Sequence, residues 1–445
     1  MKFNVPDDVK FISKVFKDND YDLYLVGGCV RDMMLGKQPH DWDLCTNARP
    51  DDITELFSHV VTTGIAYGTV TVMINNTGYE ITTYRSDKEY SDGRHPDKIS
   101  FCNSILEDLS RRDFTINAMA YDIDSNVVVS LEEGAKDIAK GIIRCVGDPD
   151  KRFSEDALRI LRALRFSITL GFDIEEKTFE SMLAHKDKLR GISKERITDE
   201  FRKIFSSNMP VFNTFNKAHE ILFQIIPELA SCYKFNQNNK YHKHDIFEHI
   251  LAVVDGCDTN DFVIKLAALY HDIGKPEAYT TDDEGHGHFY GHPAISKRIF
   301  QESAKNNLRL TREEFDRCSL LVEKHDIAVS VHTRYIHKLL VNYGEPFIKD
   351  FIILKRADLN DHIIVDTNWG RIDDFEELFY EVLEKESVFS LKDLAINGRD
   401  LMSELNLKEG KQIGHILNRL LTMVVNKEIE NNKDALLTVA KEVKL

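Results

Sequence analysis

The sequence predicts a multidomain α+β protein, with an N-terminal head of mixed sheet and helices followed by a long all-α region. Three observations carry this. The chain has 445 residues, enough for roughly three domains at about 150 residues each. Up to about residue 140, short β-like runs alternate with turns rich in glycine and asparagine. Beyond it, apolar residues recur at three- and four-residue spacing through 155–166, 196–205, 247–254, 262–273 and 411–424. The expected divisions are a mixed-sheet head at 1–140, a helical neck at 141–235, a further domain at 240–365 and a helical tail at 366–445. The polar segment Phe235–Lys240 reads as a linker.

The elements of the head follow in order. Tyr21–Val26 reads as a strand running into Gly27-Gly28, with a helix starting near Cys29. Asp41–Leu44 reads as a second strand. Gly68–Ile74 and Tyr79–Tyr84 alternate in character and join through Asn75–Gly78, which predicts a half-exposed hairpin. Arg85–Ser100 reads as a long loop, and loops of that length are usually functional. A strand near Asn126–Ser130 closes the head.

Composition narrows the class. Apolar residues are 42% and charged residues 30%, the balance of a soluble protein. No run of 18 apolar residues occurs, so no transmembrane helix is expected. The N-terminus, MKFNVPDDVKFISKVF, lacks the apolar stretch of a signal peptide. Seven cysteines, none in C-x-x-C spacing, predict free thiols in a reducing cytoplasm. The formal charge of −16 weighs against indiscriminate nucleic-acid binding but leaves room for a local basic surface.

Asp41 and Asp43 are the first chemical signal. Residues i and i+2 of a strand share a face, with backbones about 7 Å apart. Two convergent carboxylates suit a hard divalent cation such as Mg²⁺, which also takes substrate phosphates. Glycines between a strand and a helix let backbone N–H groups approach a phosphate. Leu25-Val-Gly-Gly-Cys-Val-Arg-Asp32 followed by His40-Asp-Trp-Asp-Leu44 resembles the polymerase β-type nucleotidyltransferases. More narrowly, it resembles the bacterial tRNA nucleotidyltransferases, which comprise the CCA-adding enzymes and their poly(A) polymerase relatives. The resemblance implies that Asp41 and Asp43 hold catalytic Mg²⁺, and that a third carboxylate, Glu80, stands on a neighbouring strand. It also places Gly27, Gly28 and Arg31 at the nucleotide.

Arg111–Ala120 mixes charge with a helical apolar face, so Asp113 and Asn117 are expected to share one side of a helix. The run is similar to the family's R-R-D-x-x-x-N-A-M motif. That similarity implies that Asp113 reads the ribose, that Arg112 contacts the nucleotide, and that Asn117 belongs to the same site.

Ser154 reads as a helix N-cap, with Glu155 and Asp156 in the first turn and both bracing Arg159. Leu158, Leu161 and Leu164 form the buried stripe. On residues alone this is ordinary intrahelical ion pairing. In the resembling family, E-D-x-x-R is the amino-acid template that selects CTP or ATP. Asp156 and Arg159 would then contact the base and Glu155 would orient Arg159, with Arg162 in the same nucleotide site.

The segment Tyr84–Pro96 resembles the family's flexible loop, which goes with addition of the terminal A. The Gly-Arg/Lys-Arg-Phe element of bacterial poly(A) polymerases is replaced by Val61–Gly68. Between 186 and 203 the chain carries seven basic residues against four acidic ones. Lys186, Lys188, Arg190, Lys194 and Arg196 are the expected tRNA phosphate contacts.

Finally, His249, His271, Asp272 and Asp358 supply two imidazoles and two carboxylates from three helices, a plausible divalent site. Gly274 reads as the C-cap after His271-Asp272. His-Asp-Ile-Gly-Lys275 resembles the HD phosphohydrolases, with His292 and His325 as further family-like positions. His242, His244, His286 and His288 stand as decoys or extra ligands. The function these resemblances imply is Mg²⁺-dependent addition of CCA to tRNA from CTP and ATP, with phosphohydrolase activity in the HD domain. The alternatives are an A-adding enzyme, a poly(A) polymerase, or a hydrolase with an RNA-binding head.

Overall fold

The computed structural model describes residues 2–88, 98–131, 133–237, 244–361, 368–385, 391–425 and 427–443. The chain forms two compact units, Met1–Ile204 with Lys217–Ile225, and Phe205–Asn216 with Ile226–Leu445. The expected boundaries at 240 and 365 fall outside the described residues.

The first unit begins with α1 (Asp7–Asp18), whose Val9, Ile12 and Phe16 are buried. Then come β1 (Leu23–Val26), α2 (Gly28–Met34), β2 (Leu44–Thr46), α3 (Pro50–Leu56), β3 (Val60–Val61), β4 (Thr69–Ile74) and β5 (Thr77–Thr83). β6 (Arg85–Lys88), β7 (Lys98–Phe101), α4 (Ile105–Ser110), β8 (Met119–Asp122) and β9 (Val127–Ser130) follow. Seven of these strands form one sheet in the order β3-β4-β5-β2-β1-β8-β9. β2 and β5 run parallel, with Leu44 opposite Ile81, and every other neighbouring pair is antiparallel. Val26, Cys45, Ala118 and Ala120 belong to one buried cluster with Tyr84 and Leu109.

The hairpin forms as expected. Asn75 and Asn76 both take positive φ (49° and 65°), the two-residue turn that matches strand twist. The expected loop at 85–100 is partly a ribbon, because β6 and β7 pair antiparallel from Arg85↔Phe101 to Lys88↔Lys98. Residues 89–97 lie outside the described residues.

Three further expectations change. The second strand begins at Leu44, so Asp41 and Asp43 sit on the segment leading into it. Arg111–Ala120 is no helix: α4 ends at Ser110, a 3-10 turn covers Thr115–Asn117, and β8 starts at Met119. The need to pair β8 with β1 overrides the short helical spacing of the apolar residues. Ser154 is no N-cap, because α6 (Pro149–Glu155) ends at Asp156, where φ is −149°. α5 (Gly134–Lys140) and β10 (Ile142–Ile143) precede this break, and α7 (Leu158–Leu170) follows it. β11 (Asp173–Ile174), α8 (Glu176–His185), α9 (Lys194–Phe205), α10 (Phe212–Lys217) and α11 (His219–Ile225) come next.

The second unit is mainly helical. α12 (Ile246–Gly256) starts where the Asp245 carboxylate accepts from Glu248 N at 2.8 Å. α13 (Phe262–Tyr270) is capped in the same way by Asp261. α14 (Lys275–Ala278), α15 (His292–Asn307) and α16 (Arg312–Lys324) follow. α17 (Thr333–Asn360) is interrupted at Gly344 (φ 80°), just before Pro346. α18 (Asn368–Lys385), α19 (Gly398–Leu405), α20 (Lys411–Val425) and α21 (Lys433–Val443) complete the chain. Leu401, Leu420 and Leu436 centre a small core shared by the last three helices.

Candidate functional sites

A cleft of about 660 Å³ opens in the first unit between the sheet, the turn after α4, and α7. Gly27 and Gly28 line it at the β1–α2 junction, beside Asp41 and Asp43. Gly27 has φ 74°, and a Cβ there would stand 2.9 Å from Arg112 Nη1. Glycine is therefore called for by conformation, and it leaves room for that guanidinium beside the turn.

Burial raises the Asp43 carboxyl above its usual range, and the nearby charges of Glu80 and Asp41 add to this against Arg112. Crowded carboxylates of this kind are relieved by a cation, and all-oxygen donors suit a hard divalent ion. Glu80 precedes Ile81, the residue opposite Leu44, so it stands beside Asp43 without lining the cleft.

Arginines dominate the rest of the lining. Arg111 and Arg112 both pair with the buried Asp108, at 2.6 and 3.1 Å. Arg31 Nη1 donates to Asn117 Oδ1 at 2.8 Å. Asp113 accepts twice on Oδ2 from Arg162 (2.8 and 2.6 Å) and on Oδ1 from Phe114 N and Asn117 Nδ2 (2.8 and 3.3 Å). Burial would raise its pKa, but Arg162 outweighs that and holds it at about 2. Four donors fill a carboxylate. Asp113 thus anchors Arg162 and Asn117 in this structure.

At the break between α6 and α7, Arg159 Nη1 donates to Glu155 Oε2 at 2.7 Å, and Nη2 donates to Arg111 O at 3.2 Å. The expected second brace is absent, because Asp156 Oδ1 accepts from Leu158 N and Oδ2 accepts from Arg196 (2.6 Å). Arg159, Arg162, Arg196 and Asp156 line the cleft together, while Glu155 stands outside the lining. Arg196 therefore faces the cleft rather than an open tRNA surface. Arg190 and Lys194 are exposed. The Lys186 ammonium reaches Glu220 at 3.2 Å, and Lys188 reaches Ser154 Oγ at 2.9 Å. Sequence reasoning missed Asp108, Arg165 and Phe166, and counted Lys203 only within the basic run of 186–203. Only Asp108 had a local signal, its three- and four-residue spacing from the two arginines.

The second unit holds a buried histidine–aspartate cluster. Asp272 Oδ2 lies 3.3 Å from His249 Nε2 and 3.2 Å from His271 Nε2. Its Oδ1 lies 3.1 Å from His292 Nε2 and 3.4 Å from His325 Nε2. Asp358 Oδ1 is 3.3 Å from His249 Nε2. The four expected ligands are thus together, and His292 and His325 join them through the other oxygen of Asp272.

The outer nitrogens define what this cluster can bind. Nδ1 of His271, His292 and His325 each faces a backbone carbonyl at 2.7–2.8 Å, which places the N–H there. Their Nε2 lone pairs then point inward, as metal ligation requires. His249 Nδ1 faces Asp361 Oδ2 at 2.9 Å, a partner the sequence reading missed. Burial lowers the His249 pKa, but hydrogen bonds to Asp272, Asp358 and Asp361 outweigh it and raise it to about 10. A cation entering here competes with a proton. Lys275 and Lys355 balance the carboxylates, at 2.6 Å from Asp272 and 3.1 Å from Asp358.

Gly274 is not a C-cap. Its φ is −85°, and a Cβ would meet Ser296 N at 2.6 Å and His292 O at 2.8 Å, so glycine lets α15 deliver His292. His244 Nε2 lies 3.5 Å from Asp361, in the outer ring of the cluster. His286 and His288 instead flank Asp282 on an exposed turn, and His242 lies outside the described residues.

A carboxylate pair under a glycine turn, faced by arginines on a mixed sheet, defines a nucleotidyltransferase head. The poly(A) polymerase head domain family matches residues 23–144, and the probable RNA- and SrmB-binding site of polymerase A matches 171–232. The HD domain family matches 242–362, and a putative tRNA nucleotidyltransferase domain 2 matches 373–440. A CCA-adding enzyme of Ligilactobacillus salivarius is 33% identical over 443 residues, covering 99% of this chain and 98% of its own. One from Staphylococcus aureus is 30% identical over 434 residues, covering 96% and 95%. The crystal structure of the Bacillus stearothermophilus CCA-adding enzyme in complex with CTP superposes with a TM-score of 0.70 at 25% identity, over 99% of this chain and 98% of that one. The chain belongs to the CCA-adding enzymes, a family of tRNA nucleotidyltransferases. Among the described residues no helix is long and apolar enough to cross a membrane.

Proposed function

We propose that this enzyme adds CMP, CMP and AMP in turn to the 3′ end of tRNA, from CTP and ATP and without a nucleic-acid template. The observation that carries the reading is the shared cleft: Asp41, Asp43, Asp156 and Arg159 line one space of about 660 Å³. The terminal ribose hydroxyl of the tRNA attacks the α-phosphate, its proton is lost, and pyrophosphate leaves. Asp41 and Asp43, with Glu80 beside them, would hold Mg²⁺, which when bound supplies positive charge to the reacting phosphate. Gly27 and Gly28 let the phosphates approach the start of α2, and Arg31, Arg112 and Arg162 meet their charge. Arg159, fixed by Glu155, offers N–H donors to a base edge. Asp156 offers the acceptor, and Arg196 steers it. Lys186, Lys188, Arg190 and Lys194 contact tRNA phosphates. The seven free cysteines support a cytoplasmic setting.

The test uses one tRNA transcript ending before CCA, after C, or after CC, with Mg²⁺ and with CTP and ATP given separately and together. Completion of all three to CCA, followed by a stop, is the expected result. Extension of the CC form alone, by one A, would make this an A-adding enzyme, and a long A tail would make it a poly(A) polymerase. Both outcomes overturn the reading.

A second activity is favoured by the cluster around Asp272. Its nitrogen and oxygen donors suit a divalent transition metal, which would serve phosphoester hydrolysis there.

A further inference from the structure

Phe166, on α7, is only 4% exposed, yet it touches the cleft. Its ring centroid lies 4.1 Å from the guanidinium carbon of Arg165, 5.3 Å from that of Arg31 and 5.5 Å from that of Arg162. Phe114 meets the ring edge-on at 5.8 Å and 82°, which fixes its plane. Three like charges gathered on one side chain repel one another. Burial lowers the Arg165 pKa, and Arg162 lowers it further against the pull of Glu200.

Each guanidinium already has one acid: Asp32 for Arg31 (2.8 Å), Asp113 for Arg162 (2.6 Å) and Glu200 for Arg165 (2.6 Å). The acids of Arg162 and Arg165 take the Nε side and leave donors over. Among the described residues, Nη1 of Arg162 and both terminal nitrogens of Arg165 have no hydrogen-bond partner. Another carboxylate would relieve the repulsion by occupying those N–H groups. An aromatic face relieves it through the ring quadrupole and accepts none of them.

We propose that Phe166 is a positioning residue for the phosphate chain of the incoming nucleotide. Its face holds the three guanidiniums together, with the spare N–H groups of Arg162 and Arg165 turned outward, toward β- and γ-phosphate oxygens, and Arg31, held by Asp32 and Asn117, adding its charge. This deepens the nucleotidyl-transfer reading and rests on it. The same fan could instead receive the terminal phosphodiester of the tRNA, and the test separates the two sources.

The experiment replaces Phe166 in the full chain with mono-, di- and trifluorophenylalanine. These keep the shape of the ring and drain its negative face stepwise. Equilibrium binding is measured with Mg²⁺ for CTP, pyrophosphate, CMP and a tRNA ending in CC. The expected result is a graded rise in Kd for CTP and pyrophosphate, about threefold to tenfold at the trifluoro ring. Kd for CMP and tRNA, Tm, and kcat at saturating CTP stay within about twofold, as a cation–π effect confined to the phosphate chain requires. A role in packing alone would leave CTP binding level across the series, and that result overturns the proposal. A rise confined to tRNA overturns it in favour of the primer phosphate. If the unmodified protein binds neither CTP nor pyrophosphate, the transfer reading itself fails and takes this inference with it.

Discussion

Asp113 carries a measurable signature of the cleft at the level of one residue. Its folded pKa of about 2 lies below the ordinary carboxylate value, because Arg162 outweighs burial. The link therefore stabilises the fold above about pH 4 and loses its contribution as pH falls toward 2. A shift of this size corresponds to about 2 kcal/mol. Denaturant unfolding of the wild type and Asp113→Asn is expected to differ by a constant amount from pH 7 to 5, and the gap should close toward pH 2. A gap that ignores pH would refute the assignment. At Arg159, truncation to Ala removes the donors held by Glu155. The ratio of CTP to ATP use should fall about tenfold or more, with a smaller loss in transfer with the preferred nucleotide. An unchanged ratio would end the template role. Asp43 stands out from residue type and spacing, as half of a D-x-D pair after a glycine turn, whereas Arg159 stands out only through the resemblance of its E-D-x-x-R motif. Arg165, Phe166 and Asp361 do not, because each gains its place through a residue far away in the chain.

Among the elements, legibility followed how local the determining force was. The β4–β5 hairpin is set by Asn75-Asn76 and emerged where the sequence put it. The break at Asp156 was hidden, because the run from 155 to 166 keeps helical spacing through it. The run at 111–120 was misread for the same reason, since pairing between β8 and β1 decides it. Gly274 teaches the same lesson from the other side. Its role is to admit α15, whose backbone a methyl group would strike. Gly274→Ala is expected to cost about 1–3 kcal/mol by overpacking, and to weaken divalent-ion binding by displacing His292. Calorimetry together with metal titration checks both, and an Ala variant that keeps its Tm and its metal would show that α15 yields easily.

For the whole molecule, two chemical centres share one chain, and their ligands lie in separate compact units. Asp41→Ala should reduce nucleotide transfer roughly a thousandfold, the loss of several kcal/mol, and leave the metal content of the second unit intact. Asp272→Ala should do the reverse, with metal content followed by elemental analysis and transfer by primer extension. Normal transfer in Asp41→Ala would sink the catalytic assignment. The parallel pairing of β2 with β5 bears on how the head is assembled. The β4–β5 hairpin closes across a two-residue turn, whereas Leu44 finds Ile81 only after α3 and the whole hairpin have been folded back, and Val26 meets Ala120 across a longer span still. Closing long loops is slow because entropy is lost before contacts form. By this count the pairing that sets Asp43 beside Glu80 is expected after the hairpin closes and before the sheet is complete, since β1 must still find β8 across the longer span.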